Sequence, residues 1–115
     1  MSLSIYHNPR CSKSRETLAL LEAQGLNPEI IKYLDTPPDA DQIRTLLAQL
    51  SMSSARQLMR TKEAIYAELN LADEQDEAAL IEAMVANPKL IERPIVVNGN
   101  QAALGRPPEQ VLDIL

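Results

Sequence analysis

At 115 residues and 12.7 kDa the chain has the size of one domain, spanning 1–115, that buries its own core without disulfide or metal staples. Its 11 Lys and Arg against 16 Asp and Glu give a net charge of −5, which leaves no basic field for a nucleic-acid backbone, so nucleic acid is not expected as a direct partner. A single cysteine excludes an intrachain disulfide, no apolar run approaches bilayer-spanning length, and Met1–Ile5 is too short and polar for a signal peptide, so a reducing cytoplasmic setting without membrane association is expected.

Leu3-Ser4-Ile5-Tyr6 alternates apolar and polar and then meets His7-Asn8-Pro9, which predicts a short strand stopped by a loop. From Ser12 to Gln24, Leu18, Ala19, Leu21 and Ala23 form a helical stripe, and Gly25 stands where a C-terminal cap belongs. Cys11 therefore falls at a strand-to-helix turn. Glu29-Ile30-Ile31-Lys32-Tyr33, between Pro28 and Asp35-Thr36-Pro37-Pro38, reads as a second strand and completes a β-α-β opening. Asp39 to Leu50 carries Ile43, Leu46, Leu47 and Leu50 at helical spacing, with Asp39 and Gln42 placed as a capping box. Between Ser51 and Asp73 the periodicity weakens and predicts short helices, one starting after Thr61 and carrying Ile65 and Leu69. Asp76 can cap a further helix with Leu80, Ile81, Met84 and Val85 on one face, ended by Asn87-Pro88. Pro94 precedes the β-branched run Ile95-Val96-Val97, and Asn98-Gly99-Asn100 turns the chain into Gln101-Ala102-Ala103-Leu104 as a hairpin. The final stretch places Val111, Leu112 and Leu115 on one helical face. The order β-α-β, helical insertion, β-β-α predicts an α/β fold with a mixed four-stranded sheet flanked by helices.

Cys11 at the start of a helix faces backbone N–H groups and the positive end of the helix dipole, which favour a thiolate, the nucleophilic form of the side chain. His7, Arg10, Lys13 and Arg15 add positive charge nearby. A buried structural cysteine is the other reading, but the polar flanks Asn8, Arg10, Ser12 and Ser14 argue against apolar burial. The motif is C-x-x-S, Cys11 to Ser14, without a resolving thiol, so oxidation of this sulfur calls for an electron donor in trans, glutathione or a glutaredoxin. Ser14 either donates a hydrogen bond to the thiolate or is an ordinary first-turn residue. His7 either supports the thiolate as imidazolium or bonds within its loop. One His and one Cys make a poor zinc set, so no metal and no bound cofactor is expected. Tyr6, Tyr33 and Tyr66 are the only aromatic residues, which leaves no stacking platform for bases.

His7-Asn8-Pro9-Arg10-Cys11-Ser12-Lys13-Ser14-Arg15 resembles the active-site segment of the glutaredoxin-coupled arsenate reductase family. The resemblance continues in family order through Ile31-Lys32-Tyr33-Leu34 with Pro37-Pro38, Leu58-Met59-Arg60, Leu90-Ile91-Glu92-Arg93-Pro94-Ile95-Val96-Val97, and Gly105-Arg106-Pro107-Pro108 leading into Val111-Leu112. It implies a thioredoxin-like fold and glutathione-dependent reduction of arsenate, or a similar small oxyanion, to arsenite. It also implies Cys11 as attacking thiolate, His7 as its electrostatic support, Ser14 as a hydrogen-bond partner, and Arg60, Arg93 and Arg106 as oxyanion-binding residues. Guanidinium forks suit such an anion because they pair its oxygens bidentately; each arginine taken alone also fits a solvated surface position. Pro94 matches the position where the thioredoxin-like superfamily keeps a cis-proline beside its reactive cysteine. Arg10 stands where longer members often carry a small residue, and longer members continue past the final apolar helix. Two other activities fit the same fold: a monothiol glutaredoxin-like oxidoreductase, and a non-enzymatic redox-type regulator that binds a transcription complex.

Overall fold

The computed structural model describes residues 3–115; Met1 and Ser2, the first residues of the segment read above for a signal peptide, lie outside the described residues. Two compact units make up the chain, one formed by Met1–Thr36 with Arg93–Leu115 and the other by Pro37–Glu92.

The first unit holds the sheet. Strands β1 (Leu3–Tyr6), β2 (Glu29–Ile31), β3 (Ile95–Asn98) and β4 (Gln101–Leu104) lie in the order β2-β1-β3-β4. β1 runs parallel to β2 and antiparallel to β3, and β3 and β4 form the hairpin. Gly99, with φ 62°, takes the first place of the two-residue turn, where a side chain would be strained. Ile5 sits opposite Val96 in register, and together with Leu21 and Val111 they form a fully buried cluster against which Leu18, Leu26 and Ile114 pack. Helix α1 (Ser12–Ala23) ends in a Schellman arrangement: Gly25 at φ 77° donates its N–H to Glu22 O at 2.9 Å, and Leu26 N–H reaches Leu21 O at 3.1 Å.

Two elements of this unit differ from the sequence expectation. β2 stops at Ile31, because Lys32 O accepts the N–H groups of Asp35 and Thr36 in a turn that drives Tyr33 into the interior. The last segment is a 3₁₀ helix, Pro108–Ile114, rather than an α-helix. With three residues per turn, Pro108, Val111 and Ile114 share the inward face, while Leu112 and Leu115 are exposed.

The second unit is helical. Helix α2 (Ala40–Gln49) opens with a capping box in which Gln42 N–H donates to Asp39 Oδ1 at 2.8 Å and Asp39 N–H to Gln42 Oε1 at 2.9 Å. A 3₁₀ turn (Ala55–Leu58), α3 (Ala64–Glu68) and another 3₁₀ turn (Leu71–Asp73) follow. In α3 it is Tyr66 that is buried, with its hydroxyl accepting from Arg56, while Leu69 lies beyond the helix and exposed. Helix α4 (Glu77–Ala86) is capped by Asp76, whose Oδ1 accepts Ala78 N–H at 3.1 Å. Glu77 accepts Ala55 N–H at 2.7 Å and Ser54 Oγ–H at 2.8 Å, and these bonds lower its pKa from the ordinary 4.5. No described helix is long and apolar enough to cross a membrane.

Candidate active site

The loop between β1 and α1 is built around Cys11. Cys11 N–H donates to Asn8 O at 3.0 Å, and Cys11 O accepts Arg15 N–H at 3.0 Å, so the residue closes the loop and opens the helix. It is the N-cap, in extended conformation and without a side-chain cap bond, so its thiol is not consumed in satisfying the helix end. Arg15 Nη1 donates to Pro9 O at 3.0 Å and Arg10 N–H to Asn8 Oδ1 at 3.0 Å, which brace the loop from both sides. The cysteine is 8% exposed, far more covered than its polar flanks suggest.

What faces the sulfur comes from the other end of the chain. Arg106 Nη2 lies 3.7 Å from Cys11 Sγ, while its Nε donates to Arg93 O at 2.7 Å. One edge of the guanidinium is thus tied to the backbone beside β3, and a second nitrogen reaches the thiol. The Arg93–Pro94 bond is cis, and so is Arg106–Pro107, which the sequence reading did not single out. Gly105 N–H donates to Pro94 O at 3.0 Å, joining the two proline corners. A Cβ at Gly105 would stand 2.3 Å from Thr17 Oγ1 and 2.7 Å from Pro94 Cγ, so glycine is the residue that lets α1 and Pro94 approach the strand end carrying Arg106.

His7 and Ser14 are both buried, at 6% and 0% exposure. His7 Nδ1 lies 2.7 Å from Ser14 Oγ, which also accepts Asn8 N–H at 3.0 Å. Ser14 is therefore engaged with His7 and Asn8 rather than with Cys11. Burial, followed by the charges of Lys32 and Arg15, lowers the His7 pKa from its ordinary 6.5. A lowered pKa disfavours the imidazolium form that the resemblance implies beside the thiolate. The pair instead pins the loop to the first turn of α1. Because the folded ring resists protonation, this group costs nothing above pH 6.5 and costs stability as pH falls below it. Imidazole resonances followed by NMR are expected to titrate below 6.5, and a midpoint above 6.5 would contradict the assignment.

Lys13 pairs with Glu16 at 3.5 Å. Arg60 belongs to the second unit, where its guanidinium meets Glu63 at 3.1 Å and Glu92 at 3.6 Å. Cys11, His7, Ser14, Arg93, Pro94 and Arg106 all fall in the first unit. Asn8 and Gly105 stand inside the resembling segments without a role of their own there, and Thr17 carried no signal. Among the described residues no group of three or more His, Cys, Asp or Glu side chains could hold a metal ion.

The sequence pattern of the ArsC family matches residues 6–114. The chain belongs to the ArsC family. It is 63% identical to the uncharacterized protein YfgD of Escherichia coli (strain K12) over 114 residues, which cover 98% of this chain and 96% of that protein. It is 49% identical to an arsenate reductase of Haemophilus influenzae over 116 residues and the full length of both. The structure of an arsenate reductase from Vibrio cholerae superposes with a TM-score of 0.97 at 59% identity, covering 100% of this chain and 98% of that one. The four-stranded mixed sheet described above is accordingly the thioredoxin-like fold of ArsC-family proteins.

Proposed function

We propose that this ArsC-family protein is an oxidoreductase that reduces arsenate to arsenite in the cytoplasm, with Cys11 as nucleophile and glutathione and glutaredoxin as electron donors. The observation that carries the reading is the Arg106 guanidinium, tethered to Arg93 O and reaching the Cys11 sulfur. A guanidinium so placed stabilises a thiolate and then the oxygens of an anion that the thiolate attacks. Arg93 contributes to the same anion from the neighbouring proline corner. Arg60 keeps the oxyanion-binding role that the resemblance implies, and its guanidinium also pairs with Glu63 and Glu92.

In this mechanism Cys11 thiolate attacks arsenic, the S–As bond forms and one arsenate oxygen leaves as water after protonation. A glutathione thiol next displaces a second oxygen as water, which gives an As(V) centre bonded to both sulfurs. A glutaredoxin thiolate then attacks the glutathione sulfur: a mixed disulfide forms, the glutathione S–As bond breaks, and its electron pair reduces As(V) to As(III). Water finally cleaves the Cys11–As(III) bond and releases arsenite and the thiol. With no second cysteine in the chain, the resolving thiol must come from outside.

The experiment is a coupled assay of the purified protein with arsenate, glutathione and glutaredoxin. Arsenite formation is expected from the wild type and none above background from Cys11→Ala. Turnover that survives in Cys11→Ala, or thiol exchange that proceeds equally without an oxyanion, would sink the mechanism.

A further inference from the structure

β1 and β2 are parallel neighbours, and the segments that follow them, residues 7–10 and 32–35, wall a cleft of about 370 Å³ at their carboxyl ends. Crevices at the carboxyl ends of parallel strands, in this volume range, are where α/β sheets take small ligands. The lining of this one includes the charged side chains Arg10, Lys32 and Asp35, together with His7 and Leu34. Those three charged side chains make no ion pair with one another or with any other described residue. Two cations and one carboxylate stand together unmatched, on a chain whose net charge of −5 would otherwise repel an anion.

We propose that this cleft is the binding site for the thiol co-substrate, a small peptide thiol of the glutathione type, whose two carboxylates meet Arg10 and Lys32 and whose ammonium meets Asp35. The charge pattern of glutathione is the complement of the cleft: two carboxylates and one ammonium against two cations and one carboxylate. Leu34, 44% exposed, offers an apolar surface for the peptide's methylene groups. His7, also in the lining, is buried, and burial disfavours its cationic form. Arg10 directly precedes Cys11, so a ligand anchored on it lies alongside the loop that carries the nucleophile. The assignment rests on the glutathione-dependent reading above and adds to it a location whose lining includes none of the arginines proposed for the oxyanion.

The test uses S-methylglutathione, which binds but cannot react, titrated into the full chain and followed by amide NMR. Shifts concentrated at residues 7–10 and 32–35 are expected. Lys32→Glu should weaken binding about tenfold, and Asp35→Asn about threefold, as expected for partly exposed ion pairs. Asp35→Asn should also abolish the preference for S-methylglutathione over its des-amino analogue, a discrimination that a merely structural role would not move. Lys32→Glu is expected to raise the glutathione KM in the coupled assay. Shifts centred elsewhere, or wild-type affinity in Lys32→Glu with the fold intact by the same spectra, would overturn the proposal. Because the titration uses no arsenate, the two readings fail separately. Probe binding in the cleft without arsenate turnover removes the oxyanion substrate and leaves the cleft. Arsenate turnover with an unchanged glutathione KM in Lys32→Glu removes the cleft and leaves the substrate.

Discussion

Gly105→Ala is expected to lower the unfolding midpoint by roughly 10–20 °C, corresponding to about 3 kcal/mol of overpacking. The added methyl would meet Thr17 Oγ1 at 2.3 Å and Pro94 Cγ at 2.7 Å, both below any ordinary carbon contact. Neither neighbour is the far end of a flexible side chain. Thr17 is fully buried and its hydroxyl donates to Lys13 O at 2.7 Å, while Pro94 is a ring held next to β3. Relief therefore requires α1 or the strand end to move. Thr17→Ala in the same chain removes the two Thr17 contacts and leaves the Pro94 one, so it should recover part of the loss only. Thermal and denaturant unfolding of the single and double variants measure this directly. A midpoint within about 2 °C of wild type in Gly105→Ala would show that the packing at this corner yields at little cost. Because Gly105 precedes Arg106, the same displacement should also reduce activity in whatever fraction remains folded.

Arg106→Ala is expected to reduce kcat/KM for arsenate about 10²- to 10³-fold, the usual effect of removing one preorganised donor from a site of developing charge. It should also slow alkylation of Cys11 by iodoacetamide at neutral pH, a readout independent of arsenate. Both effects follow from one guanidinium that holds Arg93 O through Nε while Nη2 reaches the sulfur. Arg106→Lys separates charge from geometry. A lysine ammonium can restore positive charge near the thiol, but a point charge cannot span the two positions at once. Alkylation is expected to recover more than turnover does. Lysine with wild-type kcat/KM would mean that the fork contributes nothing, and alanine with an unchanged alkylation rate would separate Arg106 from the thiol.

Much of the fold was legible because its signals are local. The capping box at Asp39 and Gln42, the Gly25 stop, the β-branched run of β3 and the Asn98-Gly99 turn all act through neighbours within a few residues. Where two local outcomes compete, the pattern did not choose. Val111, Leu112 and Leu115 fit an α-helical face, but the segment buries Val111 and Pro108, and partly Ile114, as a 3₁₀ helix against the sheet. The Glu29–Tyr33 run fits a strand, and a turn at Lys32 removes Tyr33 from it to fill the core.

The sequence by itself determined the α/β element order, a lone cysteine at a strand-to-helix turn and the ordered family segments whose resemblance implied roles for Cys11, His7, Ser14, Arg60, Arg93 and Arg106. Only the tertiary structure decided what those residues touch. Arg106 and Cys11 meet across 95 residues of chain, and no periodicity encodes a contact of that separation. Likewise burial and the charges of Lys32 and Arg15 act together to lower the His7 pKa, and Ser14 Oγ lies against that ring. Desolvation and hydrogen-bond partners belong to the three-dimensional environment: the residue type says what a group can do, and its surroundings determine which protonation state and which partner it takes.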